Sequence, residues 1–184
     1  FGACSALIMT ASRTVKRWLL PVLVMSQAIP VFALAPLLVL WLGYGLASKI
    51  AMAVLIIFFP VTAAFYDGLR STDPEWLELA RVMDASPRAV LYHIRIPAAL
   101  PAFASGLRVA AAVAPIGAVV GEWVGSSSGL GFYMLHANAR MQTDLMFAAL
   151  VLLVVMALGL YFFIDWGMRR VVYWQQNEIQ EMEP

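Results

Sequence analysis

Few side chains in this sequence could act in catalysis, metal binding or nucleotide hydrolysis. The single cysteine, Cys4, excludes an internal disulfide and a cysteine-based metal cluster. His93 and His136 lack the spacing of metal ligands, and no phosphate-binding loop of the form G-x-x-x-x-G-K-[ST] occurs. We therefore expect no catalytic residue, no metal and no cofactor. If ATP drives this protein, a separate chain must hydrolyse it.

The elements that position the remaining polar residues are predicted to be membrane helices. The chain is 62% hydrophobic and only 12% charged, about half the usual share of charge, so lipid must be the solvent for most side chains. Four segments reach the length of about 20 apolar residues that a span needs, at roughly 20–43, 47–68, 98–122 and 145–168. Residues 1–12 are predicted to be the end of an earlier span. Since the chain begins at Phe1, we expect it to be N-terminally truncated.

Prolines make the first full span irregular. Pro21, Pro30 and Pro36 should break or kink it. It is either one span over 20–43 or an interfacial helix followed by a shorter span from about Val31.

The distribution of positive charge sets the orientation, because lysine and arginine are enriched in cytoplasmic loops. When the spans alternate, all the larger basic clusters fall on one side: Arg13, Lys16, Arg17; Arg70, Arg81, Arg88, Arg95; Arg169, Arg170. Only Lys49 and Arg140 lie on the other. The segment 70–97 and the tail 169–184 are therefore predicted to be cytoplasmic. A net charge of +1 gives no reason to expect nucleic acid binding.

Segment 70–97 carries two sets of helix start signals. Asp73 precedes Pro74, and Ser86 precedes Pro87, each pair placing a capping side chain before a proline suited to the first helical position. Two short amphipathic helices should form, with apolar stripes at Trp76, Leu79, Ala80, Met83 and at Val90, Leu91, Ile94. Pro97 is predicted to end the second. The segment is either a hairpin on the lipid headgroups or a knob that docks on another protein.

The spacing in this segment matches a family. Glu78, Ala80, Ile94 and Pro97 fit the pattern E-A-A, three residues, G, nine residues, I-x-L-P. The chain resembles the permease subunits of binding-protein-dependent ABC importers of the type I fold, over its whole length and without roughly the first span and most of the second. It is thus identified as an all-α polytopic membrane protein with one transmembrane permease domain over 1–184.

Three positions depart from the family pattern. Leu79 replaces the second alanine, Ile96 replaces leucine, and Asp84 stands where the family usually has glycine. The first two keep an apolar surface. Asp84 should adopt a positive φ at some cost, although aspartate is among the better residues for this after glycine.

Further segments are similar to one branch of the family. Residues 35–37, 42–45, 68–70, 105–108 and 128–131 look like the nitrate, sulfonate and taurine permeases. The same branch includes permeases proposed to import hydroxymethylpyrimidine, a thiamine precursor, and the run 140–149 is most similar to that group. A small polar solute is implied.

The resemblance implies that residues 70–97, here called the coupling loop, dock in a groove of an ATP-binding subunit. The residues expected at this contact are Trp76, Glu78, Ala80, Met83, Asp84, Leu91, Ile94 and Pro97. Other implied partners are a periplasmic or lipid-anchored solute-binding protein and a second permease copy, as a homodimer or alternatively a heterodimer, in the bacterial inner membrane.

Three residues of the third span are candidates for the translocation path. Glu122 either lines the outer mouth or gate, or is an interfacial residue in contact with water. Arg108, about 15 Å past Pro97 along a helix, either reaches back to the surface or pairs with a carboxylate in the bundle. Pro115 should bend this helix. Asp165 and Arg169 are expected to pair near the inner surface.

The sequence fits two other classes of protein less well. An ion-gradient-driven secondary transporter or channel would normally show charges at mid-membrane or related half-repeats, and the sequence has neither. A membrane-embedded enzyme would need paired acids, a metal site or a nucleophile with its base. The few ionisable groups lie near span ends, which argues against such an enzyme.

Overall fold

The computed structural model describes residues 1–174, and the rest of the predicted tail, 175–184, lies outside the described residues. The secondary structure of this part of the chain consists of helices joined by short turns, with no strand, which confirms the predicted all-α class. Its helices are α1 Gly2–Ala11, α2 Arg13–Ala28, α3 Val31–Leu42, α4 Leu46–Arg70, α5 Pro74–Val82, α6 Pro87–Val90, α7 Ile96–Gly125, α8 Leu130–Ala139 and α9 Thr143–Val171. A π-helical turn, Leu91–Arg95, joins α6 to α7.

Within the described residues, three helices are long and apolar enough to cross a membrane, and the bent pair α2 and α3 makes a fourth if it is counted as one span. The three helices are α4, α9 and the continuous rod Pro87–Gly125, which is formed by α6, the π-helical turn and α7 and has 39 residues. The predicted spans 47–68, 98–122 and 145–168 fall within these helices. Much of α9 is exposed, including Val151, Phe162 and Phe163, as expected for a helix that faces lipid.

The predicted first span is not a straight helix. α2 and α3 meet at 104°, and the break falls at Ile29 and Pro30, so α3 begins at Val31. Pro21 and Pro36 lie inside helices instead of ending them. Pro30 lacks the amide proton that a continuing helix would use, and Ile29 before it has an extended backbone, as a residue before proline prefers.

The centre of the bundle is the contact between α4 and α7, where small residues let the two backbones approach closely. A Cβ atom added to Gly106 would lie 2.7 Å from the Cβ of Ala64 and 2.8 Å from the carbonyl oxygen of Pro60. Gly117 approaches the Cα of Ala53 in the same way. Gly106 and Gly117 therefore lie on a packing surface of α7.

Basic side chains lie together at one end of the bundle. The Nζ of Lys16 and the guanidinium of Arg70 each lie 5.5 Å from the ring centre of Tyr66. Beneath them is a buried apolar cluster of Ala6, Met9, Leu23, Phe65, Tyr66, Leu69 and Ala99. We call the end of the bundle that carries Lys16 and Arg70 the basic end. Lys49 and Ser126 lie at the opposite end.

Candidate functional site

The first helix of the coupling loop is held by caps at both ends. The Asp73 carboxylate accepts a hydrogen bond from the Glu75 amide at 2.9 Å, as the sequence predicted. At the other end, the amide of Asp84 donates to the Arg81 carbonyl at 3.0 Å and the amide of Ala85 donates to the Ala80 carbonyl at 2.9 Å. These two bonds make a Schellman cap, which stops α5 and reverses the chain.

Asp84 occupies the position where the family usually has glycine, and its φ is 52°. The expectation that this residue takes a positive φ is confirmed. The left-handed conformation is the one that a Schellman cap needs at this place, and aspartate tolerates it better than most residues. The turn between the two short helices is therefore formed without glycine.

The second helix of the loop begins as predicted but does not end there. The Ser86 hydroxyl accepts a hydrogen bond from the Ala89 amide at 3.3 Å. The prediction that Pro97 ends this helix is wrong, because the rod continues to Gly125. In the π-helical turn the Ile96 amide donates to the carbonyl of Leu91, five residues back. The wider turn just before the proline gives its ring the room that a regular α-helix would deny it.

Between the two short helices lies an apolar groove with a volume of about 680 Å³. It is lined by Trp76, Leu79, Ala80, Met83, Ala85, Ala89, Val90, His93, Ile94, Pro97, Ala98 and Trp174. Three of these side chains are more than half exposed: Trp76 (51%), Leu79 (60%) and Met83 (73%). We call this cavity the apolar groove. Its lining exposes apolar side chains that a monomeric soluble protein would normally bury.

Five of the eight residues predicted for the coupling contact line this groove: Trp76, Ala80, Met83, Ile94 and Pro97. Ala80 forms part of its floor and is only 4% exposed. Glu78 and Asp84 are exposed outside the lining.

Leu91 lies elsewhere, because it packs against the buried cluster of the bundle. Sequence reasoning missed five lining residues: Ala85, Ala89, His93, Ala98 and Trp174. Trp174 is far from the loop in the chain, and only the fold brings it to the groove.

Arg108 and Asp165 form an ion pair between α7 and α9. The Arg108 Nε donates to Asp165 Oδ1 at 2.6 Å, and the Arg169 Nε donates to Asp165 Oδ2 at 2.8 Å. Of the two alternatives for Arg108, the structure shows the pair with a carboxylate in the bundle. It also contains the predicted pair of Asp165 with Arg169. One carboxylate holds two arginines, so this group fastens α9 to α7.

Glu122 connects α7 to the next helix at the opposite end. Its Oε2 accepts a hydrogen bond from the amide of Gly131, in the first turn of α8, at 2.6 Å. Beside it, the Nζ of Lys49 donates to the Ser126 hydroxyl at 2.7 Å. A carboxylate at a helix start is stabilised by the free amides there. Pro115 lies inside α7 between Arg108 and Glu122.

Metal binding finds no support in the described residues, because nowhere in 1–174 do three His, Cys, Asp or Glu side chains come together as ligands. The coupling loop offers an apolar groove, and the residues Ile94 and Pro97 of its lining belong to the long helix Pro87–Gly125.

Comparison with known proteins agrees with the pattern in the coupling loop. Residues 1–173 match the family described as binding-protein-dependent transport system inner membrane component. A probable ABC transporter permease of Haemophilus influenzae is 66% identical over 94% of this chain and 71% of its own length. The formylaminopyrimidine transport permease of Halalkalibacterium halodurans is 46% identical over 78% of this chain and 56% of its own.

A third relative represents the other group that the sequence resembles. The taurine transport system permease of Escherichia coli is 31% identical over 98% of this chain and 65% of its own length. The chain thus spans between about half and three quarters of these three relatives. The resemblance to ABC importer permeases of the type I fold is confirmed, and the protein is a multi-pass inner membrane protein. The chain belongs to the family of inner membrane components of binding-protein-dependent transport systems.

Proposed function

We propose that this chain is the membrane-embedded permease subunit of an ATP-driven importer, and that its coupling loop docks on a separate ATP-binding subunit. The observation that carries the docking proposal is the apolar groove, whose residues Trp76, Leu79 and Met83 are more than half exposed. Exposed apolar area of this kind is a mark of a protein interface. Aromatic residues and methionine are also enriched in interfaces.

One continuous helix connects the apolar groove to the membrane-spanning part of the chain. Ile94 and Pro97 line the groove and belong to the rod Pro87–Gly125. At 1.5 Å per residue its 39 residues extend about 58 Å. A partner that grips the groove and moves would therefore move α7 with it, without a flexible link between the two.

The family and the charge pattern support the remaining parts of the proposal, which are the orientation, the partners and the translocation path. The basic end faces the cytoplasm, in accord with the positive-inside rule, so the ATP-binding subunit approaches from that side. A solute-binding protein delivers substrate at the opposite end, near residues 123–144. The permease forms a homodimer, and the solute crosses the membrane along a path between its two copies. Glu122 and Pro115 lie on the helix that lines this path. ATP hydrolysis belongs to the partner chain.

The solute is proposed to be small and polar. Among the relatives named above, the one that is 46% identical transports formylaminopyrimidine and the one that is 31% identical transports taurine. The higher identity supports a pyrimidine of the thiamine-precursor class over a sulfonate. Ligand binding measured on the cognate solute-binding protein tests this, and tight binding of a sulfonate with none of the pyrimidine would reverse the choice.

The docking proposal is tested with two neighbouring positions. Met83 lines the groove and is 73% exposed, whereas Val82 is 86% exposed and lies outside the lining. Met83→Glu places a charge in the contact and should abolish both solute uptake and co-purification of the ATP-binding subunit. Val82→Glu adds the same charge one residue away and should preserve both.

Because both side chains are exposed, neither variant should disturb folding, and membrane yield provides the check. Equal loss of the ATP-binding subunit in both variants, or in neither, would contradict the assignment of the groove. Uptake that survives ATP depletion and collapses with the ion gradient would instead support the secondary transporter.

A further inference from the structure

The coupling loop has a second groove on the side that faces the bundle. Its volume is about 520 Å³. It is lined by Thr10, Ala11, Leu77, Arg81, Ala85, Pro87, Arg88, Val90, Leu91 and Arg95. We call it the arginine groove. Ala85 and Val90 also line the apolar groove, so the two grooves are neighbours.

Three arginines, Arg81, Arg88 and Arg95, line this groove. Among residues 1–174, the ion pairs are those of Asp165 with Arg108 and Arg169, so none of the three has a carboxylate of this part of the chain within 4 Å. The Nε of Arg95 is buried and has no hydrogen-bond partner in the same part of the chain. An arginine donor buried without an acceptor is costly, and like charges around one cavity repel. Both costs fall when an anion with several oxygen atoms enters.

The place of the groove identifies the kind of anion. Thr10 and Ala11 are the last residues of α1, and α2 starts two residues later with Arg13. Leu91 forms part of the groove while it packs against the buried cluster of the bundle. The arginine groove therefore lies at the level where helices leave the apolar core at the basic end. In a membrane this level holds the lipid phosphates, and basic pockets between helices on that side recognise anionic headgroups.

We propose that the arginine groove binds the phosphodiester headgroup of an anionic phospholipid from the leaflet at the basic end. The guanidinium groups of Arg88 and Arg95, one on α6 and one on the π-helical turn, supply donors to the phosphate oxygens. Such a lipid ties the second half of the coupling loop to α1. The site is distinct from the apolar groove and does not depend on the docking of an ATP-binding subunit there.

The test is a titration of the purified full chain in detergent with phosphatidylglycerol, read out by native mass spectrometry, with phosphatidylcholine as the uncharged reference. The double variant Arg88→Gln with Arg95→Gln should bind phosphatidylglycerol roughly 25-fold more weakly, at about a factor of five for each arginine. The control, Arg13→Gln with Arg140→Gln, removes the same charge outside the groove. It should change the affinity by less than about threefold.

Circular dichroism verifies the fold of each variant. If the double variant does not fold, the single Arg88→Gln at an exposed position should still lose about fivefold. Equal weakening by the groove variant and the control would overturn the proposal. So would binding of phosphatidylcholine as tight as that of phosphatidylglycerol. Displacement of the lipid by millimolar inorganic phosphate would also overturn it, because the groove would then be a site for free phosphate.

Discussion

Gly106 is the position where the contact between α4 and α7 is least able to accept a side chain. A Cβ atom there would lie 2.7 Å from the Cβ of Ala64 and 2.8 Å from the Pro60 carbonyl oxygen. Ordinary contacts between such atoms are about 3.5–4.0 Å, and a backbone carbonyl cannot rotate out of the way. Gly106→Ala should therefore push the two helices apart.

The size of the effect is best measured against a glycine with open space around it. Gly159, inside α9, has nothing within 4 Å of its added Cβ. Gly→Ala in a helix interior gains about 1 kcal/mol of helix propensity at either site, so this term cancels between the two variants. What remains is the overpacking cost at Gly106, about 1–3 kcal/mol. Gly106→Ala should be less stable than Gly159→Ala by that amount.

The measurement is reversible unfolding of the purified chain in mixed micelles at increasing SDS, followed by tryptophan fluorescence. The chain has six tryptophans, and both substitutions leave them all in place. If the free energies of unfolding of the two variants agree within about 0.5 kcal/mol, α4 and α7 are not packed backbone to backbone at Gly106. In that case Gly106 does not approach Ala64 and Pro60 closely.

Two further predictions concern single side chains. Asp84→Gly should raise the free energy of unfolding by up to about 1 kcal/mol, because glycine takes the positive φ freely, and Asp84→Ala should lower it; opposite signs in SDS unfolding would show that the turn is formed differently. Asp165→Asn leaves Arg108 without its carboxylate and should lower Tm more than Arg169→Gln, since Arg169 is the more exposed partner. Equal Tm values for these two variants would mean that the link between α7 and α9 contributes little.

Features governed by local chemistry could be predicted from the sequence. The caps at Asp73 and Ser86 were recognisable because each depends on residues within three positions of it. The positive φ at Asp84 was predictable because the family pattern places glycine there, and glycine at the end of a helix implies a left-handed turn. The three long helices follow from hydrophobicity alone.

Features that depend on distant contacts could not be predicted in the same way. The sequence left two partners open for Arg108, and only the packing of α9 on α7 brings Asp165 to 2.6 Å. Trp174 reaches the apolar groove for the same reason. The three prolines of residues 20–43 have equal local propensity to end a helix, yet the chain breaks only at Pro30.

The uninterrupted helix at Pro97 connects the coupling loop directly to α7 in the proposed mechanism. If that proline ended the helix, a flexible link would separate the coupling loop from α7, and motion of the loop would not be transmitted to α7. The π-helical turn keeps the helix continuous, because the Ile96 amide donates a hydrogen bond to the Leu91 carbonyl. A lever needs stiffness, and the residues that line the apolar groove on this side belong to the same rod as α7. The proline that was expected to interrupt the connection is thus accommodated within it.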